Sequence, residues 1–207
     1  MERFLDGFRR FRKGIFADQR DEYEKLSRDG QKPQALIISC CDSRVDPQLI
    51  LGAGPGDIFT VRNVANLVPP YEPTGVYHGT SAAIEYGVCQ LEIPHLIIMG
   101  HSRCGGIRAL LTSRPGQGGD FIGAWMAIAQ SARETVLSAI SPDDDQASAL
   151  EHEAIRTSLA NLMTFPWLRE RVEAGSIKLH GLHFDLEHGE LRRLDPDSNR
   201  FLLVPVE

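Results

Sequence analysis

The sequence predicts an α/β domain: a mainly parallel central β-sheet flanked by helices, with an N-terminal helical arm. Three observations carry that prediction. Two short apolar runs, Ala35-Leu36-Ile37-Ile38 and Leu96-Ile97-Ile98-Met99, show no alternation and are bounded by polar or turn residues, as expected for strands covered on both faces. Segments with helical apolar spacing separate the strand candidates, an order typical of parallel sheets. With 207 residues, 42% of them apolar and 24% charged, the chain suits one ordinary folded domain with a substantial core.

Taken in order, residues 2–13 and 18–28 read as two helices with nothing close in sequence to pack on, so residues 1–30 are expected to form an arm against a partner subunit. The basic cluster Arg9, Arg10, Arg12 and Lys13, soon followed by Asp18, Asp21, Glu22 and Glu24, reads as a solvated helix face. After the first strand, Ile58-Phe59-Thr60-Val61 is a second, entered through the turn Pro55-Gly56-Asp57. Residues 74–90 place Val76, Ala83, Ile84, Gly87 and Val88 on one helical face. The strand at 96–99 follows. Residues 114–119 form a loop, 120–140 a helix with Asp120 as N-cap, and 141–145 another loop. Residues 147–163 carry Leu150, Ala154, Ile155, Leu159, Leu162 and Met163 on one stripe. Pro166 opens a short helix, and Ser176-Ile177-Lys178-Leu179 begins a last strand that runs on through His183-Phe184. No repeat and no interdomain linker are visible, so residues 1–207 read as a single domain. The segment Gly52-Ala53-Gly54-Pro55-Gly56 has the wrong glycine spacing for a dinucleotide fingerprint.

The net charge of −6 argues against nucleic acid as the main partner, since a phosphate-tracking surface needs excess Lys and Arg. No run of 18 apolar residues is present to span a membrane, and the first residues do not resemble a secretory or transit signal. A cytoplasmic location is therefore expected. There the four cysteines Cys40, Cys41, Cys89 and Cys104 stay reduced, and metal binding or catalysis is a better first use for them than disulfides.

Two of the predicted strands end in chemistry-bearing segments, Ser39-Cys40-Cys41-Asp42-Ser43-Arg44 and Gly100-His101-Ser102-Arg103-Cys104-Gly105-Gly106. Open parallel sheets gather ligands at the carboxyl ends of their strands, which would bring both segments to one rim. His101 and Cys104 stand three apart at a helix entry, on one face, and Cys40 would add a second thiolate. Two sulfurs and one imidazole favour zinc over magnesium, calcium or manganese, and three protein ligands leave the open position of a catalytic site. Spacing alone leaves two other readings open: two buried thiols beside a core histidine, or a closed structural zinc with Asp42 or Cys41 as fourth ligand.

Together, Cys40-Cys41-Asp42-Ser43-Arg44 and His101 to Cys104 resemble the signature of the beta-class carbonic anhydrases. The resemblance extends through Pro55-Gly56-Asp57, Val61-Arg62-Asn63-Val64-Ala65-Asn66, Ser81-Ala82-Ala83-Ile84-Glu85-Tyr86 and Ser158-Leu159-Ala160-Asn161-Leu162, covering roughly residues 30–185. It implies a zinc enzyme (Zn2+ on Cys40, His101 and Cys104) that reversibly hydrates carbon dioxide to bicarbonate and a proton through zinc-bound hydroxide. It also implies that Arg44 holds Asp42 off the metal. By resemblance to the plant-type branch, Gln31 and the Gly105 amide would donate to bicarbonate, and Phe59, Val64 and Tyr86 would line the pocket. Gln31 and the aromatics would come partly from a neighbouring subunit, making the active unit a homodimer or higher oligomer. Ile37 and Phe184 stand where the bicarbonate-inhibited branch carries tryptophan and tyrosine, so the open-site form is expected.

Two thiolates cancel the zinc charge, so the hydroxide form is expected to favour alkaline conditions. Of the remaining histidines, His78 is the candidate proton carrier, His95 a half-buried strand residue, His152 a solvent-facing helix residue, and His188 a turn residue. Cys41 is read as a packed thiol and Cys89 as core. The competing functions are a carbon disulfide hydrolase on the same fold and a non-catalytic zinc-binding scaffold; the Asp42–Arg44 pair speaks against the scaffold.

Overall fold

The computed structural model describes residues 1–75, 77–112, 119–142 and 145–206. The predicted Val76 position and nearly all of the 114–119 loop lie outside the described residues, as does part of the 141–145 loop. A six-stranded sheet has the order β2-β1-β3-β4-β5-β6, formed by β1 (Ala35–Cys40), β2 (Ile58–Asn63), β3 (His95–His101), β4 (Lys178–Asp185), β5 (Glu190–Asp195) and β6 (Arg200–Leu203). The first four strands run parallel, and β5 and β6 are antiparallel additions. Every residue of β1 is buried, which explains the unbroken apolar run in its sequence.

The helices are α1 (Glu2–Lys13), α2 (Ile15–Asp18), α3 (Arg20–Asp29), α4 (Pro47–Ile50), α5 (Gly79–Glu85), α6 (Gly105–Thr112), α7 (Ile122–Met126), α8 (Gln130–Ala139), α9 (Gln146–Leu162) and α10 (Pro166–Glu173). Helix α9 lies against the middle of the sheet through Ile155. A Cβ on Gly100 would fall 2.9 Å from Ile155 Cδ1, and one on Gly181 3.0 Å from its Cγ2. These two glycines let the helix seat itself on β3 and β4. Leu36, Ile38, Ile84, Leu96, Ile98, Leu162 and Phe165 form the main core around that contact.

Helices α1 to α3 bury no residue. Their internal packing is an aromatic trio, Phe11, Phe16 and Tyr23, with ring centroids 5.0 to 6.1 Å apart. The arm meets the body where Leu26 lies over Gly56, whose φ of +84° and missing side chain both require glycine. Phe4 and Phe8 remain 74% and 61% exposed. No helix among the described residues is long and apolar enough to cross a membrane.

Several sequence expectations are corrected. The chain does not end its sheet at β4: the β5–β6 hairpin follows, hidden because Leu191 and Leu194 are three apart among charged neighbours and break the two-residue period of a strand. The predicted 120–140 helix is split by a 3-10 turn at Ala127–Ala129. Phe121, not Asp120, holds the N-cap position, without a side-chain bond. The indole of Trp125 donates to the Val64 carbonyl at 2.8 Å, a tertiary tie that local propensity cannot register. The 74–90 segment becomes helical only at Gly79 and ends in a π-turn over Tyr86–Gln90. His152 does not face solvent: its ring stacks on Phe201 at 4.2 Å and meets His183 edge-on at 4.5 Å. Cys41 is exposed rather than packed, whereas Cys89 is partly buried against the core.

Candidate metal centre

β1 ends at Cys40 and β3 at His101, and Ser39 stands opposite Met99 in the parallel register. Cys40 and His101 therefore lie within one residue of the same level on the rim. The chain leaves β1 for β2 on one side and later returns as β3 on the other, and open α/β sheets keep their ligands at such a switch point. Beyond His101 the chain turns through Arg103 in the left-handed region, φ 57°. Cys104 then caps α6: its carbonyl accepts the Arg108 amide at 2.9 Å. A Cβ on Gly106 would press on this corner, 3.1 Å from Val64 Cγ1 and 3.2 Å from Ala65 Cβ.

Cys40, His101 and Cys104 are buried, and their ligand atoms all lie within 4.8 Å of one another. The two sulfurs are 4.0 Å apart, near the ~3.8 Å expected for two sulfurs about 2.3 Å from one tetrahedral ion. His101 Nδ1 donates to the Ser102 carbonyl at 2.9 Å, which leaves Nε2 with a free lone pair. That Nε2 is buried and has no hydrogen-bond partner, a costly state for a polar atom and one a metal ion relieves. The Cys104 thiol draws Cys40 down to about 4, with burial opposing and the His101 ring assisting. The same pairing, reinforced by burial, drives Cys104 upward. Burial pushes His101 down, but the Cys40 sulfur and the Ser102 carbonyl outweigh it, and the ring stays above its usual value. The donor set fits zinc.

Asp42 borders this cluster, its Oδ2 3.9 Å from His101 Nε2. Arg44 grips it through both carboxylate oxygens, Nε to Oδ1 at 2.9 Å and Nη2 to Oδ2 at 2.8 Å, while the Arg44 amide adds a third bond at 3.0 Å. Arg44 is itself tied to the Arg103 carbonyl at 3.1 Å. The Arg44 guanidinium holds the Asp42 carboxyl well below the ordinary carboxylate range. Arg62 reaches from β2 under the same loop and donates to the carbonyls of Cys40 (3.1 Å), Asp42 (2.7 Å) and Val45 (2.5 Å).

The other residues singled out from the sequence fall into two groups. Val64 and Gly105 stand at the cluster, Val64 against Gly106 and Gly105 at the start of α6 with open space above it. Phe59 pairs in register with Leu36, four residues and roughly 13 Å along the strand from Cys40. Tyr86 is with Phe59, their rings 5.8 Å apart, and is 48% exposed. Gln31 lies in the exposed loop before β1, at the opposite end of that strand from Cys40. Within one chain, then, Gln31, Phe59 and Tyr86 are not brought to the cluster. His78 is exposed at the start of α5, its Nε2 3.3 Å from the Thr74 carbonyl.

Sequence reading missed three neighbours of the centre: Arg62 as a clamp, and the buried pair Glu151 and His183. Glu151 Oε1 accepts the Cys104 amide at 3.2 Å, and Oε2 meets His183 Nε2 at 3.1 Å. A signal existed for Glu151, which shares the helical stripe of Ala154, Ile155, Ser158 and Leu162, all buried. A carboxyl group on an apolar face needs partners.

The family model described as "Carbonic anhydrase" matches residues 35–191. Beta carbonic anhydrase 5, chloroplastic, of Arabidopsis thaliana is 42% identical over 183 residues, covering 86% of this chain, which spans 59% of that relative's length. The structure of the beta-carbonic anhydrase CcaA superimposes with a TM-score of 0.92 at 36% identity over 99% of both chains. A tetrameric beta-carbonic anhydrase of Sordaria macrospora gives 0.80 at 30% identity, covering 93% of this chain and 95% of the other. With the cysteine–histidine–cysteine cluster in place at the rim of the same fold, the chain belongs to the carbonic anhydrase family, in its beta class.

Proposed function

We propose that the protein catalyses the reversible hydration of carbon dioxide to bicarbonate and a proton at zinc held by Cys40, His101 and Cys104. The observation that carries this reading is the partnerless Nε2 of His101 between two thiols, beside an aspartate already gripped by arginine. When bound, zinc would supply the Lewis acidity that makes water a nucleophile, with alkaline conditions favoured because two of its ligands are thiolates. Asp42, with Oδ2 on the cluster side, would accept a hydrogen bond from that nucleophile and orient it. Arg44 occupies both carboxylate oxygens, so the aspartate is kept from closing over the metal, in the manner of an open-site enzyme. Val64 contributes an apolar wall, and the Gly105 amide at the helix start donates to a bicarbonate oxygen.

The assembly belongs to the same proposal. Gln31, Phe59 and Tyr86 are too far along the sheet to serve the cluster of their own chain, so a second copy supplies them. Phe4, Leu5 and Phe8 of α1 are exposed, and that copy is their natural partner. Removing residues 1–29 is expected to lower the oligomer to a smaller species in light scattering and to reduce turnover with it. An unchanged mass would separate the arm from assembly.

Zinc analysis beside stopped-flow hydration of carbon dioxide, with carbon disulfide assayed in parallel, tests the main reading. One zinc per chain and carbon dioxide turnover that chelation abolishes are expected. Turnover by metal-free protein, or turnover of carbon disulfide alone, would overturn it.

A further inference from the structure

Cys104 stands at the N-cap of α6, where a backbone amide and the first helical amides need acceptors. In a capping box the residue three positions into the helix returns an acidic side chain to the N-cap amide. Here that residue is Ile107, which has nothing to offer. The Cys104 amide is instead taken by Glu151 Oε1 at 3.2 Å, from a helix 47 residues further along the chain. Both Glu151 and its neighbour His183 have side chains only 5% exposed. His183 Nε2 lies 3.1 Å from the second Glu151 oxygen, so Nε2–H donates there, while Nδ1 has no partner. The chain of contacts ends on the metal-ligating residue itself.

We propose that Glu151 is a positioning residue for the ligand Cys104, and that His183 holds Glu151 in place. This rests on zinc occupying the Cys40–His101–Cys104 site, but makes a separate claim: the grip on the metal depends on a carboxyl group that never touches it. Glu151 fixes the amide end of Cys104, and the Arg108 amide fixes its carbonyl at 2.9 Å. The backbone that carries the sulfur is then held from both ends before metal arrives. Losing one end lets the sulfur swing, which shows first in the rate at which zinc escapes. Outer-sphere partners of this kind are worth about 10–100-fold in metal affinity.

The test uses full-length zinc protein with four substitutions: Glu151→Gln, His183→Leu, His183→Gln and, as control, Glu153→Gln, whose partner is Arg156 at 3.1 Å. Zinc loss to a chromophoric chelator is followed at fixed pH, with melting of the metal-free forms measured alongside. Thiolate-to-metal charge-transfer bands are recorded on cobalt-substituted protein. E151Q is expected to release zinc about tenfold faster or more and to alter the cobalt bands, with metal-free melting little changed. H183L should release zinc faster than wild type, and H183Q, which restores a donor near Nε2, should recover most of the loss. E153Q should match wild type. An E151Q release rate within twofold of wild type overturns the proposal, as does acceleration by E153Q equal to that of E151Q. If E151Q does not fold, the histidine pair decides: equal release from H183L and H183Q overturns it. Wild-type protein without zinc would instead remove the metal reading itself.

Discussion

Two carboxyl groups flank the ligand cluster, and they are held in opposite ways. Asp42 is on the open side, gripped by an arginine that is half exposed, and the aspartate side chain itself retains 17% exposure. Glu151 is behind the cluster, closed in by α9 and β4, with a buried histidine and a backbone amide as partners. The open side is built from residues two apart in sequence, and the closed side from residues separated by 32 and 47 positions. An acid that must meet substrate needs a partner able to tolerate water, and arginine stays charged there. An acid that only braces a ligand is best kept dry, where each hydrogen bond is stronger.

The comparison can be broken at several points. The largest effect is expected from removing a ligand that both sides serve. Cys40→Ser or His101→Ala should leave no bound zinc and reduce turnover to background, measured by elemental analysis and stopped-flow assay. Retained zinc with full activity would show that the cluster is not the centre. Next comes the open side. Arg44→Ala should cost about 10²–10⁴ in kcat, the range for losing a positioned acid–base group, while zinc stoichiometry stays at the wild-type level. Equal loss of zinc and activity would make Arg44 a bracing residue like Glu151 and erase the distinction between the two sides.

The closed side should respond in zinc release rather than in kcat, as set out for E151Q. Its smallest expected effect concerns stability. Burial, helped by the neighbouring His183 ring and the Arg156 and Arg192 guanidiniums, lowers His152 to about 3. An unfolded chain with an ordinary histidine near ~6.5 takes up a proton that the folded chain refuses. The stability contributed by neutral His152 is therefore complete above about pH 6.5 and is lost as the pH falls toward 3, with a slope below about 1.4 kcal/mol per pH unit. His152→Leu should flatten the fall in urea-denaturation stability between pH 7 and 4.5. A variant with the wild-type slope would take His152 out of the account.

Much of the centre was legible because its parts are local. Cys40 ends one strand, with Asp42 and Arg44 just beyond it, His101 ends another, with Cys104 just beyond it, and apolar runs without alternation place both strands inside the sheet. The Glu151 brace was not legible in that way, because helix α9 reads as an ordinary amphipathic segment until its packing is known. Its carboxyl group on the buried stripe is the trace that tertiary structure left in the sequence. His152 and Cys41 misled for the same reason: a side chain's exposure depends on what distant elements cover it, here Phe201 from β6 stacked on His152, while Cys41 stays exposed.

By itself the sequence determined the candidate metal ligands, the parallel sheet and the Asp42–Arg44 pair, since each rests on spacing within a few positions of a strand end. Only the tertiary structure decided which strands are neighbours, and with that the 4.0 Å between the two sulfurs. It also decided which acid lies dry behind Cys104, and it left Gln31, Phe59 and Tyr86 at a distance from the cluster of their own chain. The physical reason is common to these three outcomes. Strand and helix periods are written in neighbouring residues, whereas hydrogen bonds and metal sites form between whatever atoms the packed core brings within about 3 to 4 Å.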